Sequence, residues 1–217
     1  MDDYNWQTDD MFGDVQLHTS EQLSSHIIHE RKPEKRRYLA GKRRQELSEI
    51  MPNLPPPDVD YYIIATGRGK KVETGDIVQS FGFGAFVDYI TRKLGGACIV
   101  YISTWSMNRD HALMLPDLLD SGLIAELHLL CDPSLLTRKH AIAATVMEGI
   151  ARHLTSRFKS FKNHAKIMCI KDANEQNYCT ITGSANLSGT PRAENYTVST
   201  DPELYRFFIN QFFEVMF

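Results

Sequence analysis

The feature that most constrains the fold of this chain is an alternation that begins at Tyr61. Short apolar runs of strand length take turns with segments whose apolar residues recur at helical spacing. Residues 61–66 (YYIIAT), 97–104 (ACIVYIST) and 124–131 (IAELHLLC) are the first strands. Between them, residues 83–94 carry a helical pattern that stops at Gly95-Gly96. Residues 108–120 form another, with Pro116 expected to bend it. Residues 134–158 read as one long amphipathic helix running into Lys159. Strand and helix in alternation imply an α/β/α sandwich around a mixed, mostly parallel sheet, because each helix returns the chain to start the next strand in the same direction.

The last third departs from this rhythm. Residues 164–172 (HAKIMCIKD), 178–188 (YCTITGSANLS) and 193–196 (AENY) are apolar runs interrupted by a few polar side chains. His164 and Lys166 are two apart, so on a strand they share a face. Ser184 and Asn186 are also two apart, just past a strand, and Glu194 opens the next one. If the three strands are neighbours, these residues gather at one end of the sheet, where polar groups need partners. A phosphate would satisfy Lys166, Ser184 and Asn186 together. Singly, each residue is an ordinary strand-end polar group; the set is not. The closing segment starts Asp201-Pro202-Glu203, a helix-start signature, and carries four phenylalanines over residues 207–213.

The first 57 residues look different. Residues 30–45 contain eight Lys/Arg against two Glu and are followed by Leu47, Ile50 and the breaker NLPPPD. A short basic helix over residues 34–50 is expected, ended by the prolines. Arg36, Arg37, Arg43 and Arg44 are its candidate contacts to a nucleic-acid backbone, against the alternative of a solvated arm. His26 and His29 fit one helical face, but neither they nor His18 has the neighbours a metal site needs. The net charge of -3 excludes a general polycation. Cys98, Cys131, Cys169 and Cys179 lie in or beside apolar runs and make no CxxC pair, so buried thiols are expected rather than zinc ligands. An acidic, polar start and the lack of a membrane-length apolar run point to a cytoplasmic protein.

H-x-K with a following Asp, then G-S-x-N-x-S, then E-N, resembles the phospholipase D superfamily, and within it the small bacterial nucleases with one such motif per chain. The likeness is firm over residues 161–199 and absent from residues 1–55. It implies a phospholipase D-like catalytic domain over residues 58–217, preceded by a basic extension over 1–57. It implies a metal-independent phosphodiesterase acting on nucleic acid, DNA ahead of RNA, without cofactor. His164 would be the nucleophile that forms a phosphohistidine, Lys166, Ser184 and Asn186 the phosphate clamp, and Glu194 the partner that sets the His164 tautomer. Asp172 follows Lys166 after five residues where the family has four, which leaves its part in doubt. A second histidine is required for the leaving oxygen. By resemblance it comes from a second subunit, in a homodimer with a shared site. Trp105, Thr104, Ser106 and Asp132 are expected near the same cleft, with Trp105 placed to stack on a base or to pack on the sheet. A lipid phosphodiesterase, or an inactive nucleic-acid-binding relative, are the alternatives.

Overall fold

The computed structural model describes residues 35–41, 47–65, 69–70, 77–78, 81–188 and 193–217. The expectations for His18, His26, His29, Arg43 and Arg44 lie outside them. The strands are β1 (Lys35–Gly41), β2 (Val59–Ala65), the small hairpin β3 (Gly69–Lys70) and β4 (Ile77–Val78), β5 (Cys98–Thr104), β6 (Ile124–Cys131), β7 (Arg157–Ser160), β8 (Ile167–Lys171), β9 (Tyr178–Gly183) and β10 (Glu194–Ser199). The helices are α1 (Leu47–Ile50), α2 (Phe83–Lys93), α3 (Arg109–Asp120), α4 (Ser134–Arg138), α5 (His140–Ala151), α6 (Pro202–Phe208) and, beyond a π-helical turn at Ile209–Phe213, α7 (Glu214–Met216).

Eight strands form one sheet in the order β1-β2-β10-β9-β8-β5-β6-β7. The α/β class and the mixed sheet stand. The expected predominance of parallel pairing does not. The pairs β2/β10, β10/β9, β9/β8 and β8/β5 are antiparallel, and β1/β2, β5/β6 and β6/β7 are parallel. The physical reason is the connection between strands. Six residues separate β8 from β9, too few for a crossover helix, so that strand must turn back.

Two further expectations are corrected. The basic segment is not a helix over 34–50: its first seven described residues are the edge strand β1, and the helix is the single turn α1. Arg37 lies over the Tyr61 ring at 5.6 Å, across the β1/β2 pair. Charged side chains on an edge strand also discourage pairing with another chain. The long helix over 134–158 breaks at Lys139, whose backbone (φ -134°, ψ 46°) is not helical. It then ends at Ala151, and Arg157–Ser160 pairs with β6 as the opposite edge strand.

One face of the sheet carries the main core. Phe83, Phe86 and Ile90 of α2, Leu115 and Leu119 of α3, and Val146 and Ile150 of α5 pack with Val100, Ile102, Leu127, Met168, Ile181 and Tyr196. Tyr196 stacks on Phe83 (6.3 Å, 7°) and lies 4.9 Å from Phe86. A separate cluster forms where Tyr205, Ile209 and Phe213 meet Ile167, Cys169, Tyr101 and Tyr178. The four-residue spacing of 205, 209 and 213 exceeds the 3.6-residue turn, and the π-helical turn takes up the surplus so that all three stay in line. Asp201 caps this helix by accepting from the Glu203 N–H at 2.8 Å. All four cysteines are buried and free. Among the described residues no helix is long and apolar enough to cross a membrane.

Candidate functional site

The strand register brings the polar residues of the last third to one end of the sheet. Ser103 of β5 sits opposite Ile167 of β8, and Ile167 opposite Thr182 of β9. Tyr196 of β10 faces Gly183, and Glu194 faces Ala65 of β2. The residues just outside these positions therefore converge: Thr104, Trp105 and Ser106 after β5, Asp132 after β6, His164 to Lys166 before β8, Ser184 to Asn186 after β9, and Glu194 at the start of β10. His164 and Lys166 precede the strand rather than lying on it. The Gly183 N–H donates to the Lys166 carbonyl at 3.2 Å and carries the pairing one step further.

Lys166 is buried (8 % exposed) and turns back on its own neighbour. Its Nζ lies 2.6 Å from His164 Nδ1 and donates to the His164 carbonyl at 2.5 Å. No carboxylate is within hydrogen-bonding reach of it among the described residues. Burial pulls its pKa down, and the more distant charge of Glu194 offsets this in part. The imidazole is exposed and leans against the Trp105 indole, centroids 5.5 Å apart.

The loop that carries His164 is anchored on both sides. Asp132 accepts from the Ser134 N–H at 2.9 Å and from the Asn163 N–H at 3.3 Å. Burial pushes the Asp132 carboxyl up, but these hydrogen bonds and the nearby His164 outweigh it and hold it below the usual range. Asn163 Oδ1 accepts from Ser103 Oγ at 2.8 Å and from the Ala165 N–H at 3.1 Å.

Asn186 is held by its oxygen. Oδ1 accepts from the Trp105 N–H at 3.1 Å, with Thr104 Oγ1 at 3.4 Å, which leaves the Nδ2 hydrogens for another acceptor. Thr104 Oγ1 gives its hydrogen to the Ser106 carbonyl (2.9 Å) and accepts from the Leu187 N–H (3.1 Å). Ser184 Oγ donates to Glu194 and accepts from the Asn195 N–H at 3.1 Å. Glu194 therefore binds Ser184 and acts on Lys166 through space, and makes no hydrogen bond to His164. The glycine before Ser184 is dictated by packing: a Cβ on Gly183 would sit 2.5 Å from the Asn195 carbonyl oxygen and 2.9 Å from the Tyr196 ring.

The remaining candidates lie elsewhere. Asp172 is at the opposite end of β8 from Lys166, where it accepts from the Gln176 N–H (2.8 Å), the Asn177 N–H (3.2 Å) and Asn177 Nδ2 (2.6 Å). It shapes the β8–β9 turn. Burial would raise its pKa, and those bonds bring it below the usual range. Arg37 is level with Tyr61 and Val198, four residues along the strands from Glu194, or about 13 Å. Arg36 lies on β1 next to it. Lys139, which the residue pattern gave no reason to select, donates to Ser106 Oγ and to the Met107 carbonyl, both at 2.9 Å. Among the described residues no cluster of three or more His, Cys, Asp or Glu is placed to hold a metal ion.

No family model and no curated protein matches this chain. It is similar to a solved polyphosphate kinase from Porphyromonas gingivalis, at a TM-score of 0.46 and 11 % identity, over 72 % of this chain and 26 % of that one. The chain thus spans about a quarter of the length of that protein. These findings correct the reading from the motif. No family model supports membership of the phospholipase D superfamily, and the solved structure is of a polyphosphate kinase. The assignment to a hydrolase that cleaves nucleic acid through a phosphohistidine is withdrawn with it. It rested on a short pattern of residues, and what that pattern supplies physically is a cation, amide donors and an imidazole, which no single reaction owns.

Proposed function

We propose that this end of the sheet binds a phosphoryl-bearing anion and serves phosphoryl transfer, with His164 exchanging the proton. The observation that carries the reading is Lys166: a buried ammonium with no carboxylate among its hydrogen-bond partners in the described residues, beside an exposed imidazole. Such a charge is costly until an anion reaches it. The Nδ2 donors of Asn186 add a second contact, in the manner of groups placed in advance where oxyanion charge will collect. As a P–O bond breaks, the imidazolium form of His164 can give a proton to the leaving oxygen, and the ring, then neutral, takes one from the incoming hydroxyl.

The test is a titration with inorganic phosphate, followed by 31P NMR and calorimetry. Wild-type protein is expected to bind phosphate, and Lys166→Met and Asn186→Ala to weaken it about ten-fold or more, the loss expected for a charge-assisted hydrogen bond. His164→Gln should retain most of the binding. Wild-type protein that shows no phosphate binding at tens of millimolar, or equal binding by Lys166→Met, would overturn the reading.

A further inference from the structure

A second cation stands beside this end of the sheet. Lys139 sits at the break between α4 and α5, half-buried, and reaches across to the loop that follows β5. Its Nζ donates to Ser106 Oγ and to the Met107 carbonyl, both at 2.9 Å. An ammonium has three hydrogens, so one donor remains, and no carboxylate is among its hydrogen-bond partners in the described residues. Those two acceptors belong to the segment that frames the site. Ser106 follows Trp105, whose N–H fixes Asn186 and whose indole lies against His164. The Ser106 carbonyl accepts from Thr104 Oγ1 at 2.9 Å, and Asn108 N–H donates to the Leu187 carbonyl at 2.9 Å, so the 105–108 segment runs alongside 186–187.

We infer that Lys139 forms a second anion subsite, and that the ligand carries two adjacent phosphoryl groups, as in a diphosphate. This rests on the phosphate reading of the first subsite. Lys166 and Asn186 take one group, and Lys139, tethered to the loop next to Asn186, takes the other. A monophosphate satisfies Lys166 and leaves Lys139 on its hydroxyl and carbonyl. A diphosphate replaces one of those neutral acceptors by an anionic oxygen, which makes a stronger hydrogen bond. A purely structural lysine, stapling the α4–α5 junction to the β5 loop, would not distinguish the two anions.

The experiment compares inorganic phosphate with pyrophosphate, each titrated into wild type, Lys139→Met, Lys139→Arg and Ser106→Ala, with thermal unfolding measured for each. Wild type is expected to bind pyrophosphate at least ten-fold more tightly than phosphate. Lys139→Met should abolish that preference while its phosphate affinity changes less than two-fold. Lys139→Arg should recover part of it, and Ser106→Ala, which keeps the charge, should stay within about three-fold of wild type, less than the cost of losing a charged partner. If wild type binds phosphate but shows no preference for pyrophosphate, or if Lys139→Met weakens both anions equally, the second subsite is refuted. If wild type binds neither anion, the first subsite falls and this one with it.

Discussion

Replacing Lys166 by Met separates stability from binding. The side chains are of similar length, so the substitution removes a buried charge and its bonds to His164 while filling the same space. A buried ammonium without a carboxylate partner costs stability, and its apolar replacement is expected to leave unfolding unchanged or to gain up to about 2 kcal/mol. For a chain of this size each kcal/mol moves the melting temperature by about 2–4 °C. Binding should move the other way. A phosphoryl oxygen about 4 Å from a unit charge, at an effective dielectric constant near 20, gains about 4 kcal/mol before desolvation. About 1.5–3 kcal/mol survives, or roughly a 10- to 150-fold loss of affinity in the variant. The pH dependence supplies a second readout. Burial lowers the Lys166 pKa in the folded state, so between that value and the unfolded value of about 10.4 the unfolded chain holds the extra proton. Wild-type stability from this group therefore rises with pH through that window, and phosphate affinity falls as the ammonium is lost. Lys166→Met should lack both trends. Calorimetric unfolding and phosphate titration between pH 7 and about 10 measure them. A variant that loses more than about 1 kcal/mol, while binding phosphate like wild type, would show that Lys166 is a structural residue.

Three further substitutions test the surrounding frame. Asp132→Ala removes the acceptor of the Ser134 and Asn163 N–H groups; a loss of about 1–3 kcal/mol is expected in chemical denaturation, together with a shifted His164 ring signal in NMR, and an unmoved His164 signal would refute the anchoring role. Gly149→Ala places a Cβ 2.2 Å from Cγ of Pro116, a ring that cannot rotate away, so about 1–3 kcal/mol of overpacking should exceed the roughly 1 kcal/mol gained in helix propensity; a raised melting temperature would contradict the close α3–α5 contact. Tyr205→Phe removes a buried hydroxyl that has no hydrogen-bond partner among the described residues, and its melting temperature should match or exceed that of wild type; a clear drop would mean the hydroxyl has a partner.

The local pattern determined more of this protein than its long-range arrangement. Strands at β5, β6, β8 and β9 follow from apolar runs, and the Asp201 cap from its own triplet, because those signals lie within a few residues. The two pairs His164/Lys166 and Ser184/Asn186 were visible by spacing alone. Strand direction was not: β8, β9 and β10 run against their neighbours because of connection length and register, which no run of side chains announces. Nor was β1, whose basic residues read equally as a solvated helix until pairing with β2 decided the matter. Lys139 was invisible because its meaning lies 32 residues away, at the carbonyl of Met107. The sequence by itself supplied the chemical groups, an imidazole, an ammonium and an amide. Tertiary structure decided their roles, since it alone buries Lys166, turns Glu194 toward Ser184 rather than His164, and sends Asp172 to the far end of its strand.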